Sequence, residues 1–160
     1  MSDLVEIFQK ALQNEVKAQA FYGLASELTQ NDETRMLFIE LCGFEENHAR
    51  NLVAMAQGLS FDHEWDPDAY LTELESNTRA SLSDHELNTV LDGDMSKVLE
   101  VARGMEENSM TVYRSLADGT SNAEIRSYFN TLAEQERGHL VEVERMALAL
   151  TMSDSDRAAL

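Results

Sequence analysis

The sequence predicts an all-α protein, a four-helix bundle made of two similar helix hairpins. The 160-residue chain contains one Pro and seven Gly, a composition that suits long helices better than sheets with many turns. Apolar residues recur at helical spacing in four long segments, and the later part of the chain repeats the earlier part. A chain of this length is expected to fold as one domain, residues 1–160.

The first two segments, about 3–29 and 33–57, form the predicted hairpin 1. Only the short polar stretch TQND separates them, and such a turn joins antiparallel neighbours. Asn31 is the predicted N-cap of the second helix. Glu33 follows it at the positive end of the helix dipole, which favours an acidic side chain.

The connection 58–94 is far longer than a bundle turn, so it is predicted to cross over along the bundle. Asp66-Pro67 and Ser83-Asp84 are good helix starts. The crossover is therefore expected to contain two short helices, one opening at Pro67 and one near Ser83.

The segments 95–117 and 123–150 form the predicted hairpin 2, joined by the polar turn DGTSN. Asn122 is the predicted N-cap of the fourth helix, and Glu124 follows it. Residues 151–160 are expected to be a frayed tail.

The two hairpins are copies of each other. A shift of 91 residues gives seven identities in the eighteen residues 31–48 without a gap. The match includes polar residues in one register, which chance resemblance between amphipathic helices does not explain. The shift aligns Glu15 with Glu106, Tyr22 with Tyr113, Glu45 with Glu136 and His48 with His139.

Helical periodicity predicts which of the acidic residues face the core. In the second helix the inward stripe comprises Leu37, Leu41, Phe44, His48, Leu52 and Met55. Glu45 lies on the same side as His48, whereas Glu46 faces solvent. The fourth helix places Glu136 and His139 inward in the same way, and Glu15 and Glu106 fall in the apolar stripes of the first and third helices.

Four glutamates and two histidines are thus predicted to meet at one level of the interior. Buried, unpaired carboxylates are costly, and close carboxylates repel one another. Two divalent cations would cancel the four charges. A mixed carboxylate and imidazole set suits iron or manganese better than a structural zinc site. One Glu from each of two helices plus Glu-x-x-His from the other two is the pattern of di-iron carboxylate bundles.

The amino-acid composition limits the kinds of partner and metal site that can be expected. The net charge of -18, from 30 acidic and 12 basic residues, predicts repulsion from nucleic acids and anionic membranes. The single cysteine, Cys42, excludes a disulfide or a Cys-x-x-Cys metal site within these residues. Without an export signal or an apolar run near 18 residues, a cytoplasmic protein is expected.

These motifs resemble the ferritin-like di-iron carboxylate superfamily, and specifically its rubrerythrin branch. The resemblance implies two iron ions, with manganese or zinc as possible substitutes. It further implies that Glu45 and Glu136 bridge the ions, that Glu15 and Glu106 are terminal ligands, and that His48 and His139 serve one ion each. Tyr22 and Tyr113 are implied to steady the carboxylates or to act near the bound oxidant.

The resemblance also implies an activity, either reduction of hydrogen peroxide or reaction with dioxygen while ferrous iron is oxidised. Cys42 alone cannot form the rubredoxin-like iron site of the familiar rubrerythrins, so a separate donor protein is expected to supply electrons. Those proteins also tend to have a second glutamate three residues from the first on the third helix, where this chain has Arg103 or Ser109. A homodimer is expected.

Two other functions fit the same residues. One is a ferroxidase or iron-handling protein, for which storage would require a closed shell of subunits. The other is a structural or partner-binding bundle whose metal only holds it together. A further hypothesis concerns Gly43, Gly104 and Gly138, which interrupt helices near the proposed metal level. Close backbone approach or room for a small oxidant would explain these glycines.

Overall fold

The computed structural model describes residues 3–59 and 65–152, so residues 60–64 of the predicted crossover and 153–160 of the predicted tail lie outside it. The described residues form α1 (Asp3–Leu28), α2 (Asp32–Gln57), α3 (Pro67–Glu75), α4 (Asp84–Asp92), α5 (Met95–Asp118), α6 (Ala123–Thr151) and a 3-10 turn (Thr78–Ser81). The all-α prediction is confirmed. No helix in this part of the chain has both the length and the apolar character that crossing a membrane requires.

The four long helices form two hairpins, because α1 packs mainly against α2 and α5 packs mainly against α6. Both predicted N-caps are confirmed. The Asn31 side chain accepts a hydrogen bond from the Thr34 backbone N–H, and Asn122 accepts from the N–H groups of Glu124 and Ile125. These bonds satisfy backbone donors that the first turn of a helix leaves without partners.

The crossover lies along α1. Its two helices begin where the sequence predicts, with Pro67 opening α3 and Ser83 forming a capping box at the start of α4. A hydrogen bond and an ion pair help to attach the crossover to α1. Gln13 Nε2 donates to the Tyr70 hydroxyl at 2.6 Å, and Lys17 Nζ lies 3.1 Å from a Glu86 carboxylate oxygen. The 3-10 turn has no counterpart in the sequence predictions.

The bundle core consists of two apolar clusters, one toward each end. One cluster contains the first half of α1 with the second half of α2, and includes Phe8, Leu52 and Phe129. The other contains the second half of α1 with the first half of α2, and includes Phe38 and Leu99. The polar residues of the candidate site come between these clusters along the helices, in a layer that water does not reach freely.

The structure contradicts the inward position predicted for Phe44 and one of the two explanations offered for the three helix glycines, whereas room for a small oxidant stays a prediction. Phe44 is 50% exposed and does not belong to the core. It lies at the edge of the inward stripe, and its ring centroid is 5.1 Å from that of His139 on α6. Close backbone approach does not explain Gly43, Gly104 and Gly138, because a Cβ atom added at any of them would meet nothing within 4 Å.

Candidate metal centre

The structure brings the six candidate ligands of the sequence analysis together in the bundle interior. All are buried, with exposed fractions of 0% for Glu15, Glu45 and Glu136, 2% for Glu106, 5% for His48 and 8% for His139. Each long helix contributes: α1 and α5 supply one glutamate each, and α2 and α6 each supply a Glu-x-x-His pair on one face. The facing assignment also holds for Glu46, which is exposed.

The six side chains form two overlapping groups of four. One contains Glu15 and His48, the other contains Glu106 and His139, and both contain Glu45 and Glu136. In each group, one ligand atom from every residue lies within 4.8 Å of the others. We call these the Glu15–His48 half and the Glu106–His139 half of the centre.

The two shared carboxylates divide their oxygens between the halves. Glu136 places Oε1 3.0 Å from His48 Nδ1 and Oε2 3.4 Å from His139 Nδ1. Glu45 places Oε2 3.6 Å from His48 Nδ1 and Oε1 3.2 Å from His139 Nδ1. Each shared carboxylate therefore offers one oxygen to each half, as a carboxylate must in order to bridge two ions.

Each remaining glutamate belongs to one half. Glu15 Oε1 lies 3.5 Å from His48 Nδ1, and Glu106 Oε2 lies 3.8 Å from His139 Nδ1. The Glu15–His48 half and the Glu106–His139 half thus have the same donor set, namely one imidazole nitrogen, one terminal carboxylate and two shared carboxylates.

The donor atoms fit divalent cations. Both histidine Nδ1 atoms, both oxygens of Glu45 and Glu136, and one oxygen each of Glu15 and Glu106 are buried without a hydrogen-bond partner among the described residues. The nitrogens are close to the oxygens but not aligned for N–H···O bonds. Unsatisfied buried polar atoms are costly and rare. Cations between these atoms would satisfy them and would balance the carboxylate charges.

Without metal, the cluster relieves its repulsion by holding protons. Burial raises the pKa of Glu15 well above its usual range, and the neighbouring Glu45 charge adds to this effect. Burial and Glu136 raise the pKa of Glu106 to about 12. Burial favours neutral histidines, but carboxylate partners outweigh it and raise the pKa of His139 to about 9. Metal binding would displace such protons.

The cluster also shifts the pKa values of His48 and Glu136, that of His48 upward and that of Glu136 downward. Burial opposes the charge of His48, yet the nearby carboxylates of Glu136, Glu15 and Glu45 raise its pKa far above the usual range. Burial also opposes the charge of Glu136, but interactions with Glu106 and the two histidines hold its pKa well below the usual range. Glu136 therefore stays charged in the metal-free cluster.

Tyr22 and Tyr113 connect the hairpins in a reciprocal arrangement. Tyr22 on α1 donates its hydroxyl hydrogen to Glu106 on α5 at 2.5 Å, and Tyr113 on α5 donates to Glu15 on α1 through a short hydrogen bond. Burial, together with the nearby carboxylates, raises the pKa of both tyrosines well above the usual range, so both remain donors. Each tyrosine orients one terminal carboxylate. A direct catalytic role for either stays a prediction.

Sequence reasoning missed Asn14. Its amide Nδ2 donates to Ser109 Oγ at 2.9 Å and more weakly to the Tyr113 hydroxyl oxygen at 3.4 Å. Helical spacing puts Ser109 on the same face of the third helix as Glu106, but it does not predict a partner for Ser109. The available signal was a polar residue beside the inward Glu15 at a position where the repeat has Met105.

A helical bundle whose interior holds two Glu/His groups joined by two shared carboxylates belongs to the class of ferritin-like di-metal carboxylate proteins. The family model Rubrerythrin matches residues 6–147. This range includes all six candidate ligands, and the chain belongs to the rubrerythrin family. Searches of the curated proteins and of the solved structures gave no match. With Cys42 as their only cysteine, these 160 residues contain no rubredoxin-like iron site.

Proposed function

We propose that this protein is a di-iron oxidoreductase that reduces hydrogen peroxide with electrons from a separate donor protein. The observation that carries the proposal is the division of the Glu45 and Glu136 oxygens between two adjacent donor sets. Two ferrous ions held there would supply the two electrons that reduction of one peroxide requires. Membership of the rubrerythrin family supports iron as the native metal, with manganese or zinc as substitutes.

The side chains of the centre have separable tasks. Glu45 and Glu136 would hold the two ions close together, and His48 and His139 would each complete one donor set. Tyr22 and Tyr113 orient the terminal carboxylates Glu106 and Glu15 by hydrogen bonds. The apolar clusters on both sides exclude bulk water, which strengthens the electrostatic interactions inside the centre.

The overall reaction is H2O2 + 2 e⁻ + 2 H⁺ → 2 H2O, so the protein must receive two electrons and two protons per turnover. The 160 residues contain a single cysteine and thus lack a Cys-based electron-transfer site of their own. We therefore propose an external electron-donor protein as partner. A homodimer is also proposed, and the molar mass in solution tests it.

The proposal is tested by loading the protein anaerobically with ferrous iron and following oxidation in stopped flow. Peroxide and dioxygen are compared at equal concentration. Faster oxidation by peroxide supports the proposal. Faster oxidation by dioxygen contradicts it in favour of ferroxidase chemistry, for which a closed shell of subunits in solution would indicate storage. Oxidation by neither, with tight binding of zinc, contradicts it in favour of a metal-stabilised structural bundle.

A further inference from the structure

A groove of about 810 Å³ opens beside the centre, between α1, α4 and α5. We call it the α1–α5 groove and define it by Asn14, Lys17, Ala18, Lys97, Met105 and Ser109. Asn14 immediately precedes the candidate ligand Glu15 on α1, and Ser109 lies one turn after Glu106 on α5. The groove thus reaches the layer of residues immediately outside the ligands.

The internal repeat divides this groove into two unlike parts. The shift of 91 residues aligns Asn14 with Met105 and Ala18 with Ser109. All four residues line the groove, and each pair places a polar residue in one copy against an apolar one in the other. The repeat therefore preserves the six ligands and both tyrosines, but it does not preserve the residues behind the tyrosines.

The two copies differ in the residues that support Tyr113 and Tyr22. Asn14 donates to Ser109 Oγ at 2.9 Å and to the Tyr113 hydroxyl oxygen at 3.4 Å, and Tyr113 donates to Glu15. Met105 and Ala18 have no side-chain N–H or O–H with which to support Tyr22 in the same way. They pack instead with the apolar cluster that contains Tyr22.

We propose that Asn14 is a positioning residue which, with Ser109, holds Tyr113 on Glu15 and so makes the Glu15–His48 half of the centre bind its metal ion more tightly than the Glu106–His139 half. This inference rests on the proposed function only in requiring that two ions bind. It assigns different affinities to two donor sets that contain the same residue types.

The physical reason is preorganisation. A hydrogen bond into the Tyr113 oxygen restricts the hydroxyl rotor, so its hydrogen stays directed at Glu15. Successive hydrogen bonds also polarise one another and strengthen the bond to the carboxylate. Groups that orient a metal ligand typically change metal affinity by about 10–100-fold when they are removed. Tyr22 donates to Glu106, but among the described residues no side-chain amide donates to the Tyr22 hydroxyl oxygen as Asn14 does to that of Tyr113.

The repeat supplies the test variants. Asn14→Met and Ser109→Ala, alone and together, give the Glu15–His48 half the residues of the other copy. Asn108→Met is the matched control, since Asn108 also lines the groove but is exposed on α5. Metal-free protein is titrated anaerobically with Co²⁺, and binding is followed by calorimetry and by the visible absorption of the bound ion.

We expect two binding steps in the natural protein, separated by about tenfold or more in affinity. Asn14→Met and the double variant should weaken the tighter step by about tenfold or more and leave the weaker step in place. Ser109→Ala should have a smaller effect, because Asn14 can still donate to Tyr113. Asn108→Met should reproduce the natural isotherm.

The outcomes separate this inference from the proposed function. Two steps of equal affinity, or variants that leave both steps unchanged, overturn the inference and leave the di-metal centre intact. Binding of fewer than two ions by the natural protein overturns both. Asn14→Met could act by lowering the thermal stability of the metal-free protein. In that case the Co²⁺ isotherm of Ser109→Ala decides, because this variant removes only a hydroxyl group.

Discussion

At the residue scale, the facing of two adjacent glutamates decides the chemistry of α2. Glu45 is fully buried and takes part in both donor sets, whereas Glu46 is exposed. The repeat distinguishes them in advance, because Glu45 aligns with Glu136 and Glu46 with Arg137. Inward polar residues that recur in both copies were thus predictable from the sequence.

Glu45→Gln should weaken binding of both metal ions by more than about 100-fold, since removal of groups that only orient ligands already costs about 10–100-fold. The amide has one acceptor oxygen and no charge, so it cannot bridge. Isothermal titration with Co²⁺ measures the effect. Glu46→Gln is the control and should bind like the natural protein; equal losses in the two variants would contradict the assigned facing.

Tyr113→Phe and Tyr22→Phe should each weaken one binding step, because each removes the hydrogen bond to one terminal carboxylate. We expect Tyr113→Phe to act on the tighter step and Tyr22→Phe on the weaker one, each by about 10-fold or more. The two-step Co²⁺ isotherm reads both. An identical effect on both steps in each variant would show that the tyrosines stabilise the bundle as a whole rather than a particular ligand.

The Asn14 contacts mark the limit of prediction at this scale. Asn14 and Ser109 are 95 residues apart and on different hairpins. Periodicity states which face a residue occupies on its own helix, but not which residue of another helix it meets. The reciprocal bonds from Tyr22 to Glu106 and from Tyr113 to Glu15 were unpredictable for the same reason, although all four residues were identified.

At the element scale, the helix boundaries follow from local chemistry. The structure places α2 at Asp32–Gln57 and α6 at Ala123–Thr151, each directly after its predicted asparagine cap. Caps and apolar periodicity act within a few residues, and the sequence therefore contains them in readable form. The 3-10 turn at Thr78–Ser81 depends on packing of the crossover against α1, which no local pattern encodes.

Asn31→Ala and Asn122→Ala should each destabilise the protein by about 1 kcal/mol, because each leaves first-turn N–H groups without an acceptor. For a chain of this size the melting temperature should fall by about 2–4 °C per substitution. Asn130→Ala is the control, since Asn130 is exposed within α6 and caps nothing. A loss in the control as large as in the cap variants would contradict the capping role.

Gly104→Ala and Gly138→Ala should stabilise the protein by about 1 kcal/mol each, the difference in helix propensity between the two residues. An added Cβ meets nothing within 4 Å at either position. Gly93→Ala is the contrast, because Gly93 has φ 75° after α4 and alanine is strained there. Thermal unfolding measures all three, and destabilisation by Gly138→Ala would reveal a close contact at that surface.

At the scale of the whole molecule, the cluster couples folding to protons and to metal. Because folding raises the pKa values of Glu15 and Glu106, protonation of these groups favours the metal-free fold. This contribution is complete below the ordinary carboxylate pKa of 4.5, and it is lost as the pH rises toward the pKa values of the folded state. His139 contributes fully below 6.5 and loses its contribution as the pH rises through about 9. The pKa of Glu136 is lowered, so its contribution to stability is present above pH 4.5 and is lost only as the pH falls below that value.

Metal-free protein should therefore become less stable between pH 6.5 and 9, and a melting curve at each pH measures this. Stabilisation by added metal should increase over the same range, because the ligands must lose protons to bind. His139→Gln should flatten the metal-free trend, and the exposed His85→Gln should not. Metal-free stability that rises from pH 6.5 to 9 would contradict the protonated cluster.

We propose that the two donor sets, which share Glu45 and Glu136, hold two metal ions. Anaerobic equilibrium dialysis against ferrous iron, with iron and protein both quantified, tests it most directly. We expect two ferrous ions per chain in the natural protein and a clear loss of bound iron in Glu45→Gln. No bound iron, or one ion that survives Glu45→Gln, would contradict it.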